Sequence, residues 1–292
     1  MNILITGANG LLGRHLVNFL SKEHVVYAII RDKSKINFEL NKNISLIEND
    51  LTNIDLEVMP KDTEVIFYLA QSNKFREFPE GVDDMLAVNV LAPNILAKWA
   101  AKNEVKKFIY ASSGGVYGNI NQPVKENFII NLNEKLGFYL HSKLSAEMLL
   151  RNYANMFETF VILRPFFIYG IGQNKTMLIP RLIENIKKGK EIILNGEEGI
   201  KINPIYVTDA ALGIANVIKL KGELIINIAG DEVVSLRQLC LIIGEMVGKD
   251  PIFKIQNSIQ NYLVADIEFM KNYLFKPVID LKSGIKKILE YI

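Results

Sequence analysis

The most constraining feature of this sequence is the segment of residues 6–13, which reads Thr-Gly-Ala-Asn-Gly-Leu-Leu-Gly and directly follows the apolar residues 3–5. Gly7 allows a sharp turn, Gly10 allows a ligand to approach the main chain, and Gly13 allows a helix to pack closely on a strand. The free N–H groups at the start of that helix then face phosphate groups. The pattern predicts a strand–turn–helix unit that holds a pyrophosphate. A tight turn without a ligand is the alternative.

Short apolar strands alternate with helical patterns in the first part of the chain. Predicted strands cover residues 2–6, 25–31, 44–47, 65–69, 107–111 and 159–163, and predicted helices cover residues 11–21, 82–103 and 139–155. This alternation predicts a parallel sheet with helices on both faces, which is an α/β, doubly wound fold of the Rossmann type. Pro93 predicts a kink or a break in the second helix.

The pattern loosens from about residue 166, where glycine and proline separate short elements. Helices are predicted at residues 178–188, 208–218, 236–247 and 283–290, and Ser235 with Gln238 predicts a capping box. We interpret residues 1–165 as an NAD(P)-binding Rossmann domain and residues 166–292 as a smaller C-terminal substrate-binding lobe, with the chain interleaving between the two.

Composition and charge argue against several classes of protein. The net charge is only +2 and the lysines are scattered, so a nucleic-acid partner is not expected. No long uncharged apolar segment and no secretory pattern is present, so we expect a cytoplasmic protein that does not bind membranes. The single cysteine, Cys240, is predicted to be a buried thiol, and the three histidines lack metal-ligand spacing, so no metal is expected.

The clearest candidates for chemistry are Tyr139 and Lys143, which lie four residues apart in a predicted helix. This spacing places both side chains on one helix face, where an ammonium group lowers the phenol pKa from its usual value of about 10. The pair can then exchange a proton with a hydroxyl or carbonyl group while a nicotinamide cofactor carries hydride. The same spacing also fits an ordinary exposed pair. The preceding strand ends at residues 112–115, Ser-Ser-Gly-Gly, which places the Ser113 hydroxyl at the carboxyl edge of the sheet.

The ordered set of motifs resembles the NAD(P)-dependent epimerase/dehydratase family of the extended short-chain dehydrogenase/reductase superfamily. Besides the glycine turn, the resemblance rests on residues 50–51, 69–71, 88–90, 112–118, 139–143, 163–165, 169–170 and 206–209. It implies a catalytic triad of Ser113, Tyr139 and Lys143. It also implies an oxidoreductase or isomerase of nucleotide-sugar metabolism.

The same resemblance implies the binding residues. The cofactor is expected to contact Gly7, Asn9, Gly10, Leu11, Leu12, Gly13, Arg31, Asp50, Leu51, Leu69, Ala70, Gln71, Asn89, Tyr139, Lys143 and Pro165. The substrate is expected to contact Ser72, Ser113, Tyr117, Phe167 and Arg181. Many relatives form homodimers through two long helices. In this chain the helices at 82–103 and 139–155 either form such a bundle or pack on the sheet through Ala97, Ala100, Ala101, Leu149 and Leu150.

The end of the second strand bears on the choice of cofactor. Relatives that use NAD usually place an acidic residue at the last strand position, which is Ile30 here and is followed by Arg31. Arginine suits a 2′-phosphate, with Lys33 or Lys35 helping, so we expect a preference for NADP(H). In the alternative, Asp32 binds the ribose of NAD(H) and Arg31 is only solvated.

Gly114 and Gly115 bear on the reaction. Dehydratases of the family carry an Asp-Glu pair at these positions, so dehydration is not expected. The leading prediction is reduction of the keto group of a nucleotide-activated sugar, which the compact chain mildly favours over epimerisation. The alternatives are a nucleotide-sugar epimerase with tightly bound NAD, a reductase of a small ketone, and a dinucleotide sensor without catalysis. The intact triad argues against the sensor.

The substrate prediction depends on how a diphosphate would be held. Relatives commonly have an asparagine at the position of Phe167 and an arginine at that of Ile202, and often another arginine where residues 256–261 have none. These differences leave room for a smaller or more apolar ketone. Cations that could replace the missing residues are Lys175, Arg181, Lys201 and Lys254.

Overall fold

A parallel sheet forms the centre of the computed structural model, which describes residues 1–258 and 261–291. The strands are β1 (Asn2–Thr6), β2 (Val25–Ile30), β3 (Ile44–Glu48), β4 (Val65–Tyr68), β5 (Lys107–Ala111), β6 (Thr159–Pro165), β7 (Ile168–Tyr169), β8 (Glu191–Asn195), β9 (Lys201–Ile202), β10 (Ile205–Tyr206), β11 (Gly222–Ile228), β12 (Val234–Ser235), β13 (Ile252–Gln256) and β14 (Tyr262–Leu263). The helices are α1 (Leu11–Leu20), α2 (Val82–Leu86), α3 (Ala92–Lys102), α4 (Phe138–Leu150), α5 (Leu178–Lys187), α6 (Val207–Asn216), α7 (Leu236–Val247), α8 (Glu268–Tyr273) and α9 (Leu281–Tyr291).

The central sheet has seven strands in the order β11-β6-β5-β4-β1-β2-β3, and its neighbouring strands run parallel. Apolar residues fill both faces because helices cover both. On one face Leu16 of α1 and Ile214 of α6 pack with Ile5, and on the other Leu96 of α3 and Ala146 of α4 pack with neighbours of Leu4. The predicted doubly wound α/β fold is therefore confirmed.

One strand of this sheet lies far beyond residue 165. β11 pairs with β6, with Ile226 opposite Leu163, and α6 packs against α1. No strand was predicted from the sequence at residues 222–228. β11 lies at the sheet edge and its first two residues are exposed, so its buried apolar run is too short to stand out.

The structure adjusts several predicted helices. The predicted helix at 82–103 is divided into α2, a π-helical turn over Ala87–Leu91, and α3, and Pro93 lies in the first turn of α3. The interruption predicted near this proline is thus present. The predicted helix at 139–155 becomes α4 followed by a tighter helical turn over Arg151–Met156. The capping box of Ser235 and Gln238 at the start of α7 is confirmed.

Several of the remaining elements pack around a core of their own, here called the C-terminal lobe, whereas α8 packs on the sheet through Met270. α5, α7 and α9 enclose a separate apolar core, beside the parallel pair β8 and β13. Cys240 of α7 is buried there as a free thiol, as predicted. Among the described residues, no helix is long and apolar enough to cross a membrane, and no group of three or more His, Cys, Asp or Glu side chains is placed to hold a metal.

Candidate active site

The glycine turn has the geometry that its sequence predicts. Gly7 has a φ of +67°, and a Cβ atom there would lie 2.9 Å from the backbone of Ala70. A Cβ on Gly13 would overlap the Gly7 carbonyl oxygen, and Gly10 is the N-terminal capping residue of α1. The turn therefore leaves the start of α1 open and without side chains on its near surface. This is the form that an approaching pyrophosphate requires.

Asn9 also fits a dinucleotide. Its Nδ2 donates to the Lys35 carbonyl at 2.9 Å, and Asn37 Nδ2 donates to the Asn9 carbonyl at 2.9 Å. The Asn9 Oδ1 is buried and has no hydrogen-bond partner within the described residues. Because buried polar atoms are nearly always hydrogen-bonded, this oxygen is suited to accept a bond from a ligand hydroxyl. The glycine cradle and this unused acceptor both fit a nicotinamide dinucleotide.

Two charged residues just after β2, Arg31 and Asp32, have different surroundings. Asp32 accepts from Ser34 Oγ at 2.6 Å, pairs with Lys35 at 2.9 Å and accepts from Ser34 N at 2.9 Å, and these contacts lower its pKa to about 2. Arg31 is half exposed, and its Nε lies 3.9 Å from an Asp50 carboxylate oxygen. Asp32 is thus engaged with its own turn, while most of the Arg31 guanidinium stays open to a ligand.

The three predicted triad residues come together at the carboxyl end of β5. Lys143 is almost fully buried and its Nζ donates to the Ala111 carbonyl at 2.9 Å. The Tyr139 hydroxyl donates to Gln71 Oε1 at 2.9 Å, and the Ser113 side chain lies near the phenol. Ser113 Oγ accepts from Gly115 N at 3.2 Å, which fixes the hydroxyl beside the phenol. The strand end and the first turn of α4 therefore produce this cluster.

The pKa of Tyr139 shifts in the direction opposite to the sequence prediction. Burial raises it to about 12, and the nearby Ser113 hydroxyl offsets only part of that rise. Burial also lowers the pKa of Lys143 to about 7, against the opposing effect of the Glu147 charge. Desolvation disfavours both charged forms, so the protein groups by themselves keep the phenol protonated at neutral pH.

A buried ion pair holds α4 against the sheet one turn beyond Lys143. Glu147 accepts from Arg164 Nε at 3.1 Å and from Nη2 at 2.6 Å, and both side chains are about 95% buried or more. The Arg164 guanidinium lies 4.6 Å from the ring centre of Tyr117, whose hydroxyl donates to Asn227 Oδ1 at 2.9 Å. This network joins α4, β6 and β11 and sets the orientation of the Lys143 helix face.

Three predicted contact residues are not exposed to the cleft. Tyr117 is only 1% exposed because its ring packs against the Arg164 guanidinium. This burial leaves no surface for the predicted contact with the substrate. Asn89 and Ser72 are completely buried, with Ser72 N donating to Asn89 Oδ1 at 3.0 Å and Asn89 Nδ2 donating to Ser142 Oγ at 3.0 Å. These amide contacts tie the segment after β4 to α4. Both residues therefore support the site from behind and have no surface for a ligand.

The other predicted residues are either packed against a core or exposed on the surface. Leu11 and Phe167 pack against the core of the C-terminal lobe, Leu12 and Leu69 pack against the core below β1, and Leu51 is buried. Pro165 ends β6 opposite Ile228, and Arg181 is exposed on α5. Lys175, Lys201 and Lys254 are also exposed. Of residues 256–261, residues 259 and 260 lie outside the described part of the chain.

The segment of residues 71–81, here called the cleft segment, contributes side chains that the sequence analysis missed. The Phe75 ring lies 5.4 Å from the Tyr139 ring, and the Arg76 guanidinium lies 4.9 Å from the Phe75 ring. Arg76 Nη1 donates to the Thr176 carbonyl at 3.1 Å, so this segment reaches the C-terminal lobe across the cleft. Its position directly after a strand of a parallel sheet was the available signal.

Neighbouring side chains leave little room for anything larger than glycine at the two positions after Ser113. A Cβ on Gly114 would overlap the Phe166 ring, and a Cβ on Gly115 would lie 2.8 Å from Leu140 Cδ2. An acidic side chain at either position would require these neighbours to move.

Comparison with known proteins agrees with this geometry. The model of the NAD dependent epimerase/dehydratase family matches residues 3–229. The chain belongs to this family. The resemblance inferred from the motifs is confirmed, and the protein is an enzyme of the extended short-chain dehydrogenase/reductase type.

Proteins that are similar to this chain are named for different reactions. The chain is 28% identical to an uncharacterized UDP-glucose epimerase of Bacillus subtilis, YtcB, over 100% of this chain and 98% of that protein. It is 27% identical to a dTDP-4-dehydro-6-deoxyglucose reductase of Escherichia coli, over 99% and 97%. A solved UDP-glucuronic acid 4-epimerase from Bacillus cereus, in complex with UDP-glucuronic acid and NAD, is 27% identical with a TM-score of 0.87, over 100% and 98%. Because that epimerase is nearly matched end to end, the compact chain does not favour a reductase.

Proposed function

We propose that this enzyme reduces the keto group of a nucleotide-activated sugar with NADP(H). The observation that carries the proposal is the pair of neighbouring hydroxyls on Ser113 and Tyr139, with buried Lys143 on the same helix. Two adjacent hydroxyls can both contact one carbonyl oxygen. Ser113 orients that oxygen by donating a hydrogen bond, and Tyr139 is the group that delivers a proton to it.

When bound, the nicotinamide supplies the hydride, and the protons are handled by this chain. The raised pKa of Tyr139 keeps the phenol in the acid form that reduction requires. The partly charged Lys143 ammonium lies one helical turn away and stabilises the phenolate left after proton transfer. Gly114 and Gly115 carry no acid or base beside Ser113, which supports hydride chemistry without dehydration.

The preference for NADP(H) is supported by the surroundings of Arg31. Its guanidinium is half exposed at the end of β2, and planar guanidinium groups bind phosphate through paired hydrogen bonds. Asp32, the alternative ribose partner, is occupied by Ser34 and Lys35.

The nucleotide-sugar substrate is supported by the relatives, several of which are named for UDP- or dTDP-sugars. Arg76 offers a cation at the mouth of the cleft, where it reaches the Thr176 carbonyl. A small ketone would have no use for this cation. We therefore favour the nucleotide sugar over the smaller substrate.

Epimerisation is the second candidate, because the Bacillus cereus epimerase shares this fold and is bound to NAD. An epimerase oxidises its substrate and then reduces the intermediate, so the cofactor returns to its first state in each cycle. The two candidates thus differ in whether the cofactor must leave.

The deciding experiment is to denature the purified protein and identify released dinucleotide by mass. We expect an empty site or traces of NADP(H), and NADPH oxidation when a UDP- or dTDP-4-keto sugar is added. Stoichiometric NAD(H), together with interconversion of UDP-sugars without added cofactor, would replace the reductase with the epimerase.

We also propose that two copies of the chain pair through α2, α3 and α4. Ala97, Ala100 and Leu150 pack inside the core and are not part of such a surface. The outer face instead carries exposed apolar side chains, namely Leu86, Leu91, Ile95, Met148 and Leu149. Sedimentation should give twice the 33.1 kDa chain mass, and Leu91→Asp should halve it. A monomeric wild-type protein at micromolar concentration would contradict the pairing.

A cytoplasmic location is part of the same proposal. The free thiol of Cys240 supports a reducing compartment, and cell fractionation would test this.

A further inference from the structure

Gln71 is the first residue of the cleft segment, and its side chain touches the atom that reacts. Its Oε1 lies 2.9 Å from the Tyr139 hydroxyl, which donates the hydrogen bond. From the sequence, Gln71 is expected to contact the cofactor, and nothing in the motif of residues 69–71 suggests that it bonds to the Tyr139 phenol.

The direction of the hydrogen bonds around Tyr139 determines what Gln71 can do. A phenol has one proton to donate, and here that proton points to Gln71. With its proton so directed, the phenol oxygen can only accept from the nearby Ser113 hydroxyl, whose Oγ itself accepts from Gly115 N. For the phenol proton to reach a substrate oxygen, the O–H bond must rotate away from Gln71 Oε1 while the phenol oxygen stays in place. Gln71 can then no longer accept a hydrogen bond from that oxygen and must interact with it in another way.

A primary amide can provide this second interaction while the side chain stays in place. Its carbonyl accepts a hydrogen bond and its NH₂ group donates two, and rotation of the terminal amide exchanges them. We propose that the Gln71 amide is a two-way partner of the Tyr139 phenol, accepting from the phenol before the reaction and donating an N–H bond to the phenolate afterwards.

The proton transfer balances with this assignment. As the keto carbon gains hydride, the O–H bond of Tyr139 breaks and the proton forms a bond to the substrate oxygen, which leaves a phenolate. The Gln71 N–H group stabilises that phenolate, and a solvent proton later restores the phenol. The role depends on the proposed function only in requiring that Tyr139 transfers the proton.

Other charged and titratable groups around the phenol do not replace this contact. Lys143, on the same helix, directs its Nζ to the Ala111 carbonyl. From β5, Tyr110 is completely buried and its pKa is raised well above the usual value by burial. From the cleft segment, Arg76 stacks on Phe75 and reaches the Thr176 carbonyl. Among these contacts, the Gln71 amide reaches the phenol oxygen directly.

The test compares Gln71→Met and Gln71→Glu with the wild type, each saturated with NADP⁺. Met keeps the length without hydrogen bonds, and Glu can accept but cannot donate when ionised. Tyr139 is titrated by tyrosinate absorbance, with the Tyr139→Phe titration subtracted. A hydrogen bond to a charged group is stronger than one between neutral groups, so loss of the donor should disfavour phenolate about tenfold. We expect the midpoint to rise by about one pH unit in Gln71→Met and further in Gln71→Glu.

Asn73→Ala, at an exposed position of the same segment, is the matched control and should titrate like the wild type. An unchanged or lower midpoint in Gln71→Met overturns the proposal, even if Gln71→Glu is raised, because a charge alone explains the latter. The titration needs no sugar substrate. If the expected order appears but keto-sugar nucleotides are not reduced, the proposed function fails and the role of Gln71 stands.

Discussion

Replacing Tyr139 with phenylalanine should lower turnover by about 10²–10⁴-fold and change cofactor affinity by less than about twofold. Phenylalanine keeps the ring that packs 5.4 Å from Phe75 and removes only the hydroxyl that donates to Gln71. The effect should therefore fall on the chemical step. Steady-state rates and a direct binding titration with NADPH measure the two quantities separately.

Tyr273→Phe removes a hydroxyl from a largely exposed tyrosine and serves as the control for this substitution. It should match the wild type in both assays. A dinucleotide sensor would keep its partner binding in the Tyr139→Phe variant. Full turnover in that variant would exclude Tyr139 as the proton donor and with it the proposed mechanism.

Arg31→Ala should weaken NADPH binding by about 10–100-fold while NADH binding changes by less than about threefold. Paired hydrogen bonds between a guanidinium and a phosphate contribute about 1.5–3 kcal/mol, and NADH has no 2′-phosphate to lose them. The ion pair of Arg31 with Asp50 is long, 3.9 Å, and both groups are half exposed, so its loss should matter little to the fold. Calorimetric titration with each cofactor gives the ratio directly.

Two further variants sharpen this result. Arg31→Lys keeps the charge without the planar fork, so its affinity for NADPH should be intermediate. Lys33→Ala tests a cation of the same turn and should have a smaller effect. Equal weakening of both cofactors by Arg31→Ala would mean that the side chain only shapes the loop, and the preference for NADP(H) would be abandoned.

Local patterns predicted the parts of the site that depend on local geometry. The glycine turn could be predicted because each glycine meets a steric demand within a few residues or at the adjacent strand. The pairing of Tyr139 with Lys143 follows from helical spacing, and Ser113 follows from its place at the end of a strand. Their arrangement in space therefore required little information from distant parts of the chain.

Burial was the property that the sequence could not provide. The pKa of Tyr139 is raised because distant segments desolvate the phenol, and the Lys143 ammonium is directed to a carbonyl of β5. Asn89 is polar, but its side chain is hydrogen-bonded to the Ser72 backbone N–H and the Ser142 hydroxyl and not to a ligand. The contact from Gln71 depends on a loop whose path has no periodic pattern. Each of these features depends on neighbours far away in the chain.

The position of β11 has a consequence for how the protein is made. The cofactor-binding sheet needs residues 222–228 at its edge, and α1 needs α6 against it, so the N-terminal half cannot complete its core when it first leaves the ribosome. Until then β6 is an unpaired edge and the outer face of α1 is uncovered, which are surfaces that favour misassembly. The two halves of the chain therefore depend on each other to fold, and neither should be obtainable as a stable fragment.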